Sequence, residues 1–140
     1  MKKISVLVVD DEIIMCAALR HHLEQFPHIE VVGEFHDGPA ALLAAERLKP
    51  DLIFLDIRMP GLNGLEVAAT LDQLEASPQI VFVTAHDDYA LKAFEVGALD
   101  YLLKPFDNND IIRVLRKIRR NQSVSARSLH DSAESMQTVS

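Results

Sequence analysis

The sequence predicts a doubly wound α/β fold, a five-stranded parallel sheet with helices on both faces. Three observations predict it. Short apolar, β-branched runs alternate five times with segments of helical periodicity, and that alternation implies parallel strands joined by crossover helices. The runs at 6–9 and 53–55 are continuously apolar, as central parallel strands covered on both sides are. The 140 residues, 49% hydrophobic and 25% charged, are enough for about one packed domain and close to the globular average.

Strands are expected at 4–9, 29–35, 52–55, 80–83 and 99–103. After the first, Cys16, Leu19, Leu23 and Phe26 stand three, four and three apart, one apolar helical face. Asp37-Gly38-Pro39 opens a second helix facing inward through Leu42, Ala45 and Leu48, and Pro50 closes it. Asn63-Gly64 opens a third, carrying Leu65, Ala68 and Leu71 and ended by Ser77-Pro78. Asp87 and Asp88 open a short fourth with Leu91 and Phe94 inward, stopped at Gly97. Asp107 caps a fifth, in which Ile111, Leu115 and Ile118 repeat at four and three. The remainder, 122–140, holds six serines and little apolar periodicity and reads as a linker or loose tail.

Composition excludes several function classes. Fourteen basic against 21 acidic residues give a net charge of −7, the wrong sign for unaided nucleic-acid binding. One cysteine, Cys16, rules out an internal disulfide framework and a multi-cysteine zinc site. The six histidines form no metal-ligand pattern and read as solvated or capping residues. No run has the ~18–20 apolar residues of a membrane helix, and the start resembles no signal peptide. A cytoplasmic chain without a membrane partner is expected.

In open parallel sheets ligands bind beyond the carboxyl ends of the strands. Strand one ends in Asp10-Asp11, strand three in Asp56, strand four in Thr84 and strand five in Lys104-Pro105. Three carboxylates together repel unless a cation or proton intervenes, and an all-oxygen site suits a hard cation such as Mg²⁺. Lys104 adds a fixed positive charge and Thr84 a hydroxyl donor. A carboxylate nucleophile, a divalent metal, a lysine and a hydroxyl are what phosphoryl transfer onto aspartate requires. Taken singly, each Asp could be a turn or cap residue, and Thr84 could be either. Five such residues on one rim are hard to explain as capping.

Four motifs carry a resemblance: Val8-Val9-Asp10-Asp11-Glu12, the run from Leu55-Asp56-Ile57-Arg58 to Asn63-Gly64, Val83-Thr84-Ala85, and Asp100-Tyr101-Leu102-Leu103-Lys104-Pro105. In this order and at these separations, 3–121 resembles the receiver domain of two-component response regulators, with its flavodoxin-like fold. The resemblance implies that Asp56 is the phosphoacceptor, taking a phosphoryl group from the phosphohistidine of a sensor histidine kinase. It implies that Asp11 and Asp56 ligate Mg²⁺ (with Mn²⁺ a possible substitute), helped by Asp10 through water and by the Arg58 carbonyl. Thr84 and Lys104 would bind the phosphoryl oxygens, and Lys104-Pro105 matches the family's cis peptide. Thr84 and Tyr101 would form the switch, whose output face is helix four, strand five and helix five. For Tyr101 an ordinary half-buried strand aromatic is an equal reading from position alone. Arg58 and His86, each two residues beyond a site residue, would border the pocket and tune the acyl phosphate's lifetime.

The stretches 84–95 and 98–103 resemble, more narrowly, receivers that precede a LytTR-type DNA-binding domain. That output domain is absent from these 140 residues, so DNA contact would belong to residues outside them. A stand-alone receiver acting through protein–protein contacts is the alternative. Leu91 and Phe94 fit a dimer face on activation as well as core packing. The basic run Arg113, Arg116, Lys117, Arg119, Arg120 is first a solvated helix end. A phosphoaspartyl phosphatase is disfavoured, because Arg58 stands where its general acid would be. A nucleotide-binding domain is disfavoured too, since no glycine-rich phosphate loop follows the first strand.

Overall fold

The structure, a computed structural model, describes residues 3–118. Strands β1 (Ile4–Val9), β2 (Ile29–Phe35), β3 (Leu52–Leu55), β4 (Gln79–Thr84) and β5 (Asp100–Leu103) alternate with helices α1 (Ile13–Glu24), α2 (Gly38–Leu48), α3 (Gly64–Leu71) and α4 (Ala90–Glu95). A helical run at 108–118 is α5, and a 3-10 turn at Asp87–Tyr89 leads into α4. The sheet is wholly parallel, in the order β2-β1-β3-β4-β5. The tail at 122–140 lies outside the described residues, as do Arg119 and Arg120 of the basic run.

Alternation along each strand divides the core in two. Ile4, Val6 and Val8 face Cys16, Leu19 and Leu23 of α1 and Ile111, Val114 and Ile118 of α5. Leu7 and Val9 face the other layer, where Ala41, Ala44 and Ala45 of α2, Val67, Ala68 and Leu71 of α3, and Ala93 of α4 lie. The chain runs outward from β1 to β2, then crosses back over β1 to β3. The direction of winding therefore reverses between β1 and β3, and the two strands open a crevice at their carboxyl ends. Asp10, Asp11 and Asp56 emerge there.

Caps end and start the helices where polar residues can reach. The Asp37 carboxylate accepts the Ala40 N–H at 2.7 Å, and Asn63 and Glu66 form a reciprocal capping box. Asp107 accepts the Asp110 N–H at 3.0 Å, while Asp110 accepts that of Asp107. Gly97 takes a positive φ of 79° just past α4, the left-handed stop that glycine adopts at no steric cost.

Two expected inward faces are displaced. Leu91 and Phe94 are 72% and 63% exposed, and the buried residue of α4 is Ala93. The inward stripe is Tyr89, Ala93 and Val96, spaced four and three, because the 3-10 turn sets the phase of so short a helix. In α2 the alanines 41, 44 and 45 are buried and Leu48 is exposed. Small side chains let the helix sit close to the sheet. α3 also ends at Leu71, six residues before the expected stop at Ser77. β4 is one residue longer at each end than expected, and β5 starts one residue later.

Candidate functional site

Both strand-terminal aspartates turn the chain and face the crevice. Asp10 Oδ1 accepts the Glu12 N–H at 2.9 Å, and Asp56 Oδ1 accepts the Arg58 N–H at 3.3 Å. These Asx turns use one oxygen of each carboxylate. The second oxygens converge on one ammonium, with Lys104 Nζ at 2.8 Å from Asp10 Oδ2 and 3.4 Å from Asp56 Oδ2. Turn chemistry and site chemistry thus share the same two side chains.

Asp10, Asp11 and Asp56 place carboxylate oxygens within 4.8 Å of one another. Asp10 and Asp56 are buried, and Asp11 stands exposed at the mouth. Thr84, fully buried at the end of β4, has its Oγ1 3.4 Å from the His86 N–H. The Lys104 N–H donates to the Thr84 carbonyl at 2.8 Å, which ties β5 to β4 beside the acidic cluster. The Lys104-Pro105 bond is cis.

The electrostatics are unbalanced. Burial and then the Asp10 charge push the Asp56 carboxyl up to about 6, although Lys104 and the Arg58 N–H pull it down. Desolvation and the Asp10 charge also raise Asp11. Burial alone would lower Lys104, but the Asp10 hydrogen bond and the charges of Asp56 and Asp10 hold it above its ordinary value. Three carboxylates against this ammonium leave an excess of negative oxygen in a small space. That donor set fits a hard divalent cation, which prefers oxygen ligands and offsets such an excess.

The other expected residues surround this centre. The Tyr101 hydroxyl, half-buried on β5, donates to the His86 carbonyl. Arg58 lies on the loop after β3, with its guanidinium Nη1 3.3 Å from His86 Nε2. Arg113 Nε and Lys117 Nζ of the basic run instead hold the buried Asp100 at 2.9 and 3.2 Å.

Three residues escaped sequence reasoning. A Cβ on Gly64 would collide with the Asp56 carbonyl oxygen, so glycine there lets α3 pack against the backbone of Asp56. In the sequence the Asn63-Gly64 pair reads as a helix start and as the end of a motif, neither of which reveals this steric demand. The His36 imidazole sits 3.0 Å from the Asp10 carbonyl, a contact visible only once β2 is known to flank β1. Glu12 Oε1, 3.7 Å from Lys104 Nζ, adds another carboxylate to the rim.

Fold and site together define a small α/β domain built around an acidic pocket and its lysine. The profile of the response regulator receiver domain matches residues 6–116, and the chain belongs to that family. It is 41% identical over 91% of its length to the sensory transduction protein LytT of Bacillus cereus, covering 52% of that protein. It is 46% identical over 86% of its length to the transcriptional regulatory protein BtsR of Escherichia coli, covering 50%. The chain therefore spans about half the length of these curated relatives. Names of this kind accord with the LytTR-type resemblance. Among solved structures, the receiver domain of Mycobacterium tuberculosis NarL superposes with a TM-score of 0.79 at 33% identity, over 85% of this chain and 98% of that one. The response regulatory domain of Klebsiella pneumoniae protein mrkE gives 0.78 at 37% identity, over 84% and 97%.

Proposed function

We propose that Asp56 is the phosphoacceptor of a two-component switch, phosphorylated from the phosphohistidine of a sensor histidine kinase. The observation that carries this is the convergence of Asp10, Asp56 and Lys104 at hydrogen-bonding distance beside a buried Thr84 hydroxyl. An Asp56 oxygen attacks phosphorus, the bond from phosphorus to the donor nitrogen breaks, and the nitrogen keeps the electron pair. Lys104 and Thr84 receive the new phosphoryl oxygens. Asp10, Asp11, Asp56 and the Arg58 carbonyl would hold Mg²⁺, or Mn²⁺ in its place, which supplies neutralisation of the developing charge. The same chain returns to its starting state by slow hydrolysis of the aspartyl phosphate, rather than turning over a small substrate.

Phosphorylation adds strong acceptors that draw the Thr84 hydroxyl towards Asp56. The His86 peptide touches Thr84 through its N–H and Tyr101 through its carbonyl. Movement at Thr84 therefore reaches Tyr101 and the α4-β5-α5 face by a direct route. Leu91, Phe94 and Leu103 are exposed on α4 and β5, which supports a homodimer through that face. Relatives of about twice this length, named for transcription regulation and sensory transduction, support a cytoplasmic receiver unit, 3–121, that governs a DNA-binding output region through the linker 122–140. No helix among the described residues is long and apolar enough to cross a membrane.

The test is intact mass after incubation with Mg²⁺ and acetyl phosphate. One phosphoryl adduct is expected in the parent, lost on chelation and absent from Asp56→Asn. A folded, metal-loaded parent that takes no adduct and binds no beryllofluoride would overturn the proposal.

A further inference from the structure

β2 ends at Phe35, and the residue after it continues the contact with β1 through its side chain. The Asp10 N–H donates to the Phe35 carbonyl at 3.0 Å, one rung of the parallel ladder beyond Val9. In a continued ladder the Asp10 carbonyl would accept from the Asp37 N–H. Asp37, however, leaves the strand to cap α2. The His36 imidazole stands in, with Nδ1 3.0 Å from the Asp10 carbonyl oxygen. A carbonyl only accepts, so the proton sits on Nδ1. The buried Cys16 thiol lies 3.4 Å from the same oxygen. Burial and the Asp10 charge push that thiol up to about 12, so it keeps its proton and serves as a second, weaker donor.

That carbonyl belongs to the peptide joining Asp10 to Asp11. The unit is planar and stiff, so a donor on its oxygen fixes the Cα atoms on both sides. Asp10 has other restraints, from the Glu12 N–H on Oδ1 and from Lys104 on Oδ2. Asp11 stands exposed at the mouth, and the direction of its carboxylate depends on the backbone that presents it. We propose that His36 is a positioning residue for the divalent-cation site, holding the Asp10–Asp11 peptide so that both carboxylates serve one ion. The inference rests on reading Asp10, Asp11 and Asp56 as that site, and adds to it a residue from outside the acidic cluster. Removing a hydrogen-bond donor or acceptor that orients a metal ligand costs about 10- to 100-fold in affinity. Here the contact acts through the backbone and Cys16 remains, so the loss is smaller.

The test is Mn²⁺ binding to the full, unphosphorylated chain, read from the electron paramagnetic resonance of the free aqua ion. His36→Leu keeps the branching at Cγ without a donor, and should raise the dissociation constant about threefold to tenfold. In His36→Asn the amide nitrogen takes the place of Nδ1 and donates, so the constant should return to within about twofold of the parent. Competition by Mg²⁺ should follow the same order, and thermal melting without metal checks that each variant is folded. Binding by His36→Leu as tight as the parent's would overturn the inference. So would binding by His36→Asn as weak as that of His36→Leu, since the ring and not its N–H would then matter. A parent that binds neither Mn²⁺ nor Mg²⁺ would instead sink the reading of the metal site, and this inference with it.

Discussion

Asp56 and Asp100 are buried to the same degree, 5% and 7% exposed, and their surroundings push them in opposite directions. Asp56 shares the Lys104 ammonium with Asp10, and burial with the Asp10 charge drives its carboxyl up to about 6. At Asp100 burial also works to raise the carboxyl. There it is outweighed by hydrogen bonds from Arg113, the Tyr101 N–H and Lys117, which hold the group below its ordinary value. One carboxylate has two cations; two carboxylates have one. A carboxylate met by more than one cation is held in its charged form, whereas carboxylates sharing one cation give up stability and leave uncompensated negative charge at the rim.

The largest expected difference between the two is chemical. Asp56→Asn should abolish the phosphoryl adduct, while Asp100→Asn should leave the initial rate within about twofold, as fits a carboxylate outside the pocket. Intact mass over a time course of acetyl phosphate exposure compares them directly. Loss of the adduct in Asp100→Asn would break the distinction.

Packing around Asp56 gives the next largest effect. Gly64→Ala places a methyl group against the Asp56 carbonyl and should cost about 2–3 kcal/mol of stability by forcing the backbone apart. Urea unfolding reads it out. A change near zero would show that the β3–α3 loop yields freely and does not hold Asp56 in place.

Asp56→Asn should then stabilise the metal-free protein. A raised carboxyl means that the folded chain holds the Asp56 proton between the ordinary value of 3.8 and about 6, where the unfolded chain has lost it. Stability conferred by the parent residue therefore falls as pH rises through that window, and the deficit is complete above it. The variant should gain about 1–2 kcal/mol at pH 7 and nothing at pH 3.5. Mg²⁺ should narrow the gap, since it stabilises the parent alone.

The smallest effect has the reverse sign. Asp100→Asn should lose about 1 kcal/mol at pH 7, a charge-assisted contact with partly exposed partners. Because the folded carboxyl lies below 3.8, the parent's advantage is present above that value and disappears as pH falls below it. Thermal melts at pH 3 and pH 7, with and without added salt, would expose a matching sign for the two aspartates and collapse the comparison.

The alternation of strands and helices, the residues at the strand ends and the residue types gathered on the rim are legible in the amino-acid sequence. These are local matters: period, β-branched runs and turn residues repeat within a few positions, and Asp10, Asp56, Thr84 and Lys104 each stand where a strand must stop. Tertiary structure decided phase, pairing and charge balance. Ala93 rather than Leu91 or Phe94 turns inward, because the angle at which a short helix meets the sheet depends on the turn before it. The Arg58–His86 contact across the loops after β3 and β4, and the Lys104 ammonium between Asp10 and Asp56, join residues from separate strand–helix units. Only the strand order β2-β1-β3-β4-β5 brings such units side by side, and that order comes from the packing of the whole core.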